Sequence, residues 1–295
     1  MKIKFASKRR LKLIFTCLFL FIGIISGTAM RSLINAHTVY LNDADVPDGI
    51  KLTVIMYHSI TNNSKKISDY AVSTEMFDSD IKYLSDNGFS FINTEDLKNY
   101  IYYNFPLPKK SIMITFDDGF FDNYTNAFPI LQKYNAKAVI SPIAKVVEDY
   151  TQNGDKNDTY AYMDKETVKK LYESGLVVFE NHSYNMHSNT GRKGCAKKRG
   201  ESNDEYRKTL ENDLLKAHNL IYECTNRHPI AMVYPFGSTS KEAYEVITKL
   251  GYVMSFSCTE GINVITKNPK SLFMLKRFNR TPYKNSQSFF ADKLY

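Results

Sequence analysis

Two adjacent carboxylates, Asp117 and Asp118, follow a short apolar run and precede a glycine. The run Ile112–Ile114 is typical of a strand buried on both faces, as in a parallel sheet. Neighbouring side chains on a regular strand point to opposite faces, so the two acids can share a site only if the backbone turns, as Gly119 permits. Because ligands in α/β folds collect at the carboxyl ends of strands, the stretch predicts either a catalytic site or a turn that caps a helix beginning near Asp122.

Two histidines, His182 and His187, follow a second predicted strand, Leu176–Glu180. On a helix their spacing would place them about 140° apart, which excludes a helical metal-binding pair. At a strand end that leads into a turn, both rings can reach one point. Two neutral imidazoles with one carboxylate form a metal site with open coordination positions. In isolation, however, we would interpret the pair as two histidines of a surface loop.

The elements that would position these side chains alternate along the chain. Predicted strands cover Leu52–Tyr57, Phe89–Asn93, Ile112–Phe116, Ala138–Ile143, Leu176–Glu180, Ala231–Tyr234, Val253–Phe256 and Met274–Phe278. Predicted helices cover Thr74–Asp86, Thr94–Tyr102, Asp122–Tyr134, Lys165–Ser174, Asp204–Cys224 and Ser240–Leu250. This alternation predicts an α/β fold, with a parallel sheet or a (β/α) barrel. Two polar segments, Val146–Tyr160 and Asn189–Asn203, interrupt it as irregular connections.

The amino-terminal residues 1–30 combine a basic cluster with the apolar segment Leu13–Met30. An apolar stretch of about eighteen residues is intermediate between a signal peptide and a membrane span. Because positive charge precedes the segment, we expect a single span in the cell membrane with the rest of the chain extracellular. Secretion after cleavage near Gly27–Ala29 is the alternative. Residues 31–50 are polar and predict a linker, and residues 51–295 form the exported domain.

The overall composition fits one large globular domain with a small appendage. Of the 295 residues, 43% are hydrophobic and 24% are charged, as expected for a chain with a full core. The formal net charge of +8 suits anionic partners such as lipid headgroups or cell-wall polymers. No signature of a nucleic-acid-binding fold accompanies this charge, so we expect no nucleic-acid partner.

Three motifs, each at a predicted strand end, resemble those of the NodB-homology polysaccharide deacetylases, carbohydrate esterase family 4. They are Thr115–Gly119, the histidines His182 and His187, and the run Tyr234, Pro235, Phe236 and Gly237. The strand with Met56–Ile60 is similar to that family too, and the resemblance covers residues 50–280. The histidine spacing is closest to that of poly-N-acetylglucosamine deacetylases.

The resemblance implies a distorted (β/α) barrel of the NodB-homology type. It implies a metal-dependent hydrolase that removes acetyl groups from an N-acetylglucosamine-containing cell-surface polysaccharide, either poly-N-acetylglucosamine or peptidoglycan. Position by position, it makes Asp118, His182 and His187 the ligands of a divalent metal. Zinc suits one carboxylate and two imidazoles. The same resemblance makes Asp117 the general base.

Simple chemistry supports this assignment. Amide hydrolysis needs an activated water, a polarised carbonyl and a donor for the developing oxyanion. A carboxylate such as Asp117 can complete the deprotonation of a metal-bound water, and the backbone N–H of Phe236 can donate to the oxyanion. Tyr234, Pro235 and Gly237 would shape this substrate-facing loop. Without the other motifs, the run would be interpreted as a plain strand-ending turn.

Two residues common in the family are absent from the matching positions. Val233 occupies the place of an arginine that many members carry, and Arg277 is the candidate replacement. The other interpretation of Arg277 is contact with solvent or a phosphate-like group. No histidine follows His228, although a late histidine often serves as the general acid. His58, at the end of the first predicted strand, is the best-placed substitute, with a structural hydrogen bond as the alternative role.

Three other functions compete with this hypothesis. A wall-associated carbohydrate-binding protein without turnover would explain the missing arginine and histidine, but binding alone needs no base beside a metal site. An O-acetyl esterase of the xylan type would use the same residues. A glycosidase fits poorly, because its two carboxylates flank the scissile bond roughly 5–9 Å apart and come from different strands.

Overall fold

The computed structural model describes residues 49–295. The predicted membrane segment, residues 1–30, and residues 31–48 of the predicted linker lie outside this range, so both stay predictions. Among residues 49–295, no helix combines the length and the apolar character that a membrane crossing requires.

Strands and helices alternate along the described chain. The strands are β1 (Ile50–Tyr57), β2 (Ser59–Thr61), β3 (Ala71–Ser73), β4 (Ser90–Ile92), β5 (Ser111–Asp118), β6 (Ala138–Pro142), β7 (Val177–Phe179), β8 (Ala231–Val233), β9 (Met254–Phe256), β10 (Asn263–Ile265) and β11 (Phe278–Asn279). The α-helices are α1 (Thr74–Asp86), α2 (Thr94–Tyr103), α3 (Phe128–Lys133), α4 (Ala144–Asn153), α5 (Lys165–Glu173), α6 (Asn203–Thr225), α7 (Ala243–Lys249) and α8 (Ser286–Phe290). Short helical turns cover Ser64–Lys66, Asn123–Ala127, Pro235–Gly237 and Pro269–Leu272.

The parallel strands close into a distorted ring. Strand β1 pairs with β5, β5 with β6, and β6 with β7. The single bridge between Asn181 and Met232 then leads to β8, which pairs with β9. A second bridge, between Phe256 and Leu275, leads to the segment that ends in β11, and β11 pairs with β1. The predicted parallel α/β architecture is therefore confirmed.

The central strand β5 is buried on both faces, as its apolar run predicts. Ile114 and Phe116 pack with Phe77 of α1 in one cluster. Met113, on the opposite face of the strand, packs with Leu97 of α2 in another. Burial of each such side chain stabilises the fold by about 1.5–3 kcal/mol. The carboxyl end of β5 is thus held rigidly from both sides.

Three predictions of secondary structure are wrong. Of the predicted strand Met274–Phe278, only Phe278 belongs to a strand, β11, while Leu275 forms a single bridge with Phe256. Met274 has a φ of +60°, which excludes it from an extended strand. The segment Val146–Tyr160 was expected to be irregular, but its first half belongs to α4, which packs on α6. The predicted helix Asp122–Tyr134 begins with a π-helical turn rather than a regular α-helix.

A buried polar network ties β2 to the turn that follows β5. The hydroxyl of Ser59 donates a hydrogen bond to the carboxylate of Asp122. The side chain of Asn123 donates to the backbone carbonyl of His58 at 2.7 Å, and Asn126 donates to that of Ile60 at 2.7 Å. The network fixes the chain that leaves β1 against the turn.

Substituting Asp122 with asparagine is expected to stabilise the fold above neutral pH. Burial raises the pKa of Asp122 to about 7, whereas the unfolded carboxyl has a pKa of about 3.9. The folded state therefore binds the extra proton between these values, and the free energy of unfolding falls as the pH rises through that window. The neutral amide removes this loss, which amounts to about 4 kcal/mol once the pH lies above both values.

Urea unfolding at pH 5 and pH 8 checks this expectation. The asparagine variant should exceed the parent by a much larger margin at pH 8 than at pH 5, because most of the loss develops between these two pH values. Asp86→Asn is the matched control, because Asp86 is exposed and forms only a surface ion pair with Lys82. An Asp122→Asn variant that tracks the parent at both pH values would contradict the proposed burial cost.

Candidate active site

The backbone turns sharply where β5 ends. Asp118 has a φ of +68° and Gly119 a φ of +79°, both in the left-handed region. A Cβ at Gly119 would lie 2.6 Å from Cβ of Pro142, so only glycine fits this turn. The turn breaks the strand alternation, and Asp117 and Asp118 are therefore free to contribute to one site.

Asp118, His182 and His187 come together at the carboxyl ends of β5 and β7. Oδ1 of Asp118 lies 3.1 Å from Nε2 of His187 and 3.4 Å from Nε2 of His182. The candidate ligand atoms of the three residues all lie within 4.8 Å of one another. Among residues 49–295, this is the only group of three or more such side chains with that spacing.

The surroundings of the three side chains fit a divalent metal. Nδ1 of His182 lies 2.7 Å from the carbonyl oxygen of Val233, so Nδ1 carries the proton and Nε2 keeps its lone pair. Oδ1 of Asp118 is buried and accepts no hydrogen bond within the described part of the chain. A buried carboxylate oxygen without a donor, beside an oriented imidazole nitrogen, is the arrangement expected of metal ligands.

Asp117 is paired with Arg277, which sequence reasoning named only as a candidate. Both side chains are buried, and the guanidinium donates to the two carboxylate oxygens at 2.7 and 2.8 Å. Nε of Arg277 donates to the carbonyl of Ser257 at 2.9 Å. Such a bidentate pair fixes the orientation of the carboxylate. Arg277 has no access to solvent, so the alternative interpretation of a solvent contact is wrong.

The charges at the site keep both acids ionised. Burial alone would raise the pKa of Asp117, but the Arg277 guanidinium lowers it below its usual value. Burial would likewise raise the pKa of Asp118, and the adjacent rings of His182 and His187 lower it. At neutral pH, Asp117 can accept a proton and Asp118 can bind a cation.

The loop after β8 borders this group. Tyr234 and Pro235 are buried, whereas the Phe236 side chain is 41% exposed, with its ring centroid 4.6 Å from that of His187. Phe236 has a φ of +57°, a costly conformation for a residue with a side chain. Gly237 lies against the backbone of Cys258, where a Cβ would come within 2.8 Å of the nitrogen. The structure therefore brings this predicted loop to the site in a strained conformation.

The basic segment Asn189–Asn203 packs against the loop that follows β8. Gly194 has a φ of +51°, and a Cβ there would lie 2.4 Å from the carbonyl oxygen of Pro235. The backbone nitrogen of Cys195 donates to the carbonyl of Ser238 at 3.2 Å. The segment is thus a packed support for the loop, a role that its polar composition did not predict.

His58 follows β1 directly and lies near the same centre. Burial lowers its pKa, while the charges of Asp117 and Asp118 act in the opposite direction. Its Nδ1 is buried and has no hydrogen-bond partner among residues 49–295. The structural hydrogen bond considered as an alternative role is therefore not made through Nδ1.

Glu180 is a structural residue of the site that sequence reasoning missed. It is fully buried and accepts hydrogen bonds from the backbone nitrogens of Ile230 and Ala231 at 2.7 and 2.8 Å. Arg227 and Thr94 donate to its other oxygen. This network joins the ends of β7 and β8, so it positions the segment that carries His182. The available signal was a charged residue at the end of an apolar strand.

Comparisons with known proteins agree with this geometry. A family model described as polysaccharide deacetylase matches residues 105–255, slightly more than half of the chain. The poly-beta-1,6-N-acetyl-D-glucosamine N-deacetylase of Staphylococcus aureus strain MRSA252 is 28% identical over 264 residues, covering 82% of this chain and 85% of the relative.

Two solved structures have the same fold. IcaB from Ammonifex degensii is 25% identical with a TM-score of 0.64, covering 80% of this chain and 93% of that chain. The Streptococcus pyogenes deacetylase PplD is 23% identical with a TM-score of 0.68, covering 84% and 100%. The predicted NodB-type fold and the predicted enzyme class, a polysaccharide de-N-acetylase, are confirmed by these comparisons. This chain belongs to the polysaccharide deacetylase family.

Proposed function

We propose that this enzyme removes N-acetyl groups from a polysaccharide of the poly-N-acetylglucosamine type in a metal-dependent reaction. The observation that carries the proposal is the arrangement of an oriented metal-ligand set beside a buried, ionised carboxylate. Asp118, His182 and His187 would hold the ion, and Zn²⁺ suits this donor set. When bound, such an ion polarises the acetyl carbonyl and lowers the pKa of the attacking water.

Asp117 acts as the general base in this proposal. Its carboxylate accepts the proton of the attacking water, and Arg277 supports this role in two ways. The paired hydrogen bonds hold the carboxylate in one orientation, and the positive charge keeps it ionised. A base that is fixed and ionised before the substrate arrives needs no reorganisation during the reaction.

The backbone N–H of Phe236 stabilises the carbonyl oxygen as negative charge develops on it. The left-handed conformation of Phe236, maintained by the packed segment beneath it, supports this role. His58 then donates a proton to the leaving amine. The lowered pKa of His58 makes its imidazolium a stronger acid, although a smaller fraction of His58 is protonated at neutral pH.

The relatives support the choice of substrate. The Staphylococcus aureus relative is named for poly-beta-1,6-N-acetyl-D-glucosamine, and this chain spans 85% of its length. Arg277 beside Asp117 also removes one motive for the alternative of a binding protein without turnover, because the segment directly before β11 supplies the guanidinium that is missing at Val233. An O-acetyl esterase remains the second candidate, since the same residues would serve an ester.

Acetate release and metal content test the proposal together. The full-length chain is incubated with β-1,6-linked N-acetylglucosamine oligomers, peptidoglycan fragments and acetylated xylan, with and without a chelator. We expect the highest kcat/KM on the first class and loss of activity with the chelator. Acetate release only from acetylated xylan would contradict the N-deacetylase proposal.

Elemental analysis should find about one metal ion per chain in the parent protein. In His182→Ala the affinity for the metal should fall roughly tenfold or more, so this variant should retain less metal. His218→Ala is the matched control, because His218 is hydrogen bonded to His228 at 2.8 Å and is not one of the three candidate ligands. Equal metal retention in both variants would remove His182 from the proposed ligand set.

A further inference from the structure

The loop Ser183–Met186 joins the two proposed histidine ligands, His182 and His187, and contains no helix or strand. Ser183 has a φ of +70°, in the left-handed region that a residue with a side chain adopts only at a cost. Because no regular secondary structure fixes this backbone, contacts with other parts of the chain have to set the separation of the two imidazoles.

Side-chain oxygens accept all four backbone N–H groups of this loop. The side chain of Asn181 accepts from Ser183 at 2.7 Å, and the hydroxyl of Ser183 accepts from Met186 at 3.1 Å. The two remaining N–H groups, those of Tyr184 and Asn185, both donate to a single carboxylate on α6. One side chain from a distant helix therefore supplies half of the acceptors of the loop.

This carboxylate belongs to Asp213, and each of its oxygens binds one N–H group. Oδ1 accepts from Tyr184 at 2.8 Å, and Oδ2 accepts from Asn185 at 2.9 Å. Hydrogen bonds to a carboxylate are stronger than those between neutral groups, and a pair of them fixes orientation as well as position. Because the two N–H groups are consecutive along the chain, the pair holds the middle of the loop in one conformation.

Helix α6 is a rigid support for Asp213. A capping box that begins at Ser202 closes its first turn. Leu214, which follows Asp213 directly, is fully buried and packs in one cluster with Met232 of β8. The carbonyl of Leu214 also accepts from the side chain of Asn181 at 3.0 Å. The helix therefore contacts the chain both before the first histidine and in the middle of the loop.

The first turn of α4 binds the carbonyl groups of the same loop. The backbone nitrogen of Ala144 donates to the carbonyl of Ser183 at 3.1 Å, and that of Lys145 donates to the carbonyl of Tyr184 at 2.9 Å. Helix α4 thus holds the loop by its carbonyl groups, and Asp213 holds it by its N–H groups. Without the carboxylate, the loop would lose half of its acceptors, and the two imidazoles would be less firmly fixed.

We propose that Asp213 is a positioning residue that holds His182 and His187 at the separation required to bind one metal ion. This inference rests on the proposed function, which assigns the two histidines and Asp118 to the ligand set. Asp213 contacts neither the ion nor the substrate in this proposal and acts through the backbone of the loop. Residues that orient metal ligands typically contribute about 10–100-fold to metal affinity, so the loss of Asp213 should weaken metal binding.

Titration of the metal-free full-length chain with Zn²⁺, in competition with a chromogenic chelator, measures this contribution. Asp213→Asn keeps the size of the side chain, but its NH₂ group replaces one acceptor and faces an N–H donor of the loop. We expect the Kd for Zn²⁺ to rise about tenfold or more in this variant. Asp213→Glu keeps both acceptor oxygens and should bind Zn²⁺ more tightly than Asp213→Asn. The reverse order would contradict the proposal.

Thermal unfolding with and without Zn²⁺ separates positioning from a purely structural role. The metal-free Asp213→Asn chain should unfold near the temperature of the metal-free parent, whereas the rise in Tm on adding a fixed concentration of Zn²⁺ should be smaller than in the parent. A metal-free variant that unfolds at a much lower temperature, with an unchanged Kd for Zn²⁺, would overturn the proposal and make Asp213 a structural residue.

Glu211→Gln is the matched control, because Glu211 lies on the same helix and forms a surface ion pair with Lys249 at 2.7 Å. It should bind Zn²⁺ as the parent does, and an equal loss in Glu211→Gln and Asp213→Asn would contradict the proposal. The two proposals fail differently. A parent chain that binds no Zn²⁺ would overturn the proposed ligand set, whereas equally tight binding in the parent and in Asp213→Asn would overturn the role of Asp213 alone.

Discussion

Replacing Asp117 with asparagine is expected to lower kcat on N-acetylated oligosaccharides by about 10²–10⁴-fold. The amide keeps the shape of the carboxylate, but it cannot accept the proton of the attacking water. Metal content should remain at about one ion per chain, because Asp118, His182 and His187 are intact. Acetate release and elemental analysis on the same preparation measure both quantities.

The same substitution leaves the buried guanidinium of Arg277 without its counter-charge. Breaking a buried ion pair from one side costs about 3–5 kcal/mol, so part of the lost activity could reflect unfolding. The double variant Asp117→Asn with Arg277→Met separates the two effects, since replacing both partners by neutral groups is nearly neutral for stability. We expect it to recover thermal stability but not turnover. Turnover within tenfold of the parent in the stable double variant would make Asp117 a structural residue.

The candidate site could be predicted from sequence where it lies at the ends of strongly patterned strands. The apolar run before Asp117 predicts a strand buried on both faces, and β5 is such a strand. The helix Thr74–Asp86 has the predicted bounds because Ser73 caps its first turn and the glycine at 88 follows its end. These signals are local, so a single sequence carries them.

Other features depend on contacts that no local pattern records. The pairing of Arg277 with Asp117 joins residues 160 positions apart and required the ring of strands to close. The helix α4 was missed because only Ala144 and Val147 are buried along it, which is too few for a clear helical period. Strands β2, β3 and β10 were missed because each has three residues of which at most two are apolar, without the continuous apolar run of β7 or β8.

The left-handed backbone conformation of Asp118 and Phe236 could not be predicted from the sequence either. Aspartate and phenylalanine adopt a positive φ less readily than glycine does, and each such conformation costs roughly 1–3 kcal/mol. Surrounding structure has to maintain them, through Pro142 against Gly119 and through Gly194 against Pro235. A strand–turn motif can therefore be located from sequence, while the direction of its side chains and N–H groups depends on the neighbours that pack against it.

The role of His58 can be separated from that of Asp117 by the leaving group of the substrate. Collapse of the tetrahedral intermediate of an amide requires a proton at nitrogen, because an unprotonated amide anion is a very poor leaving group. An activated aryl acetate releases a phenolate that needs no such proton. His58→Gln should therefore lower kcat on N-acetylated oligomers by about 10²-fold or more and change aryl acetate hydrolysis only a few-fold.

The surroundings of His58 support this selectivity. Its Nδ1 makes no hydrogen bond within residues 49–295, and burial lowers its pKa, so nothing in the described fold requires the charged ring for stability. His228→Gln is the matched control, because His228 is exposed, stacks on Tyr222 and is hydrogen bonded to His218, outside the proposed active site. Metal content should be unchanged in both variants. An equal loss of His58→Gln activity on amide and aryl ester would instead indicate that His58 orders Asp117, since both substrates depend on the general base.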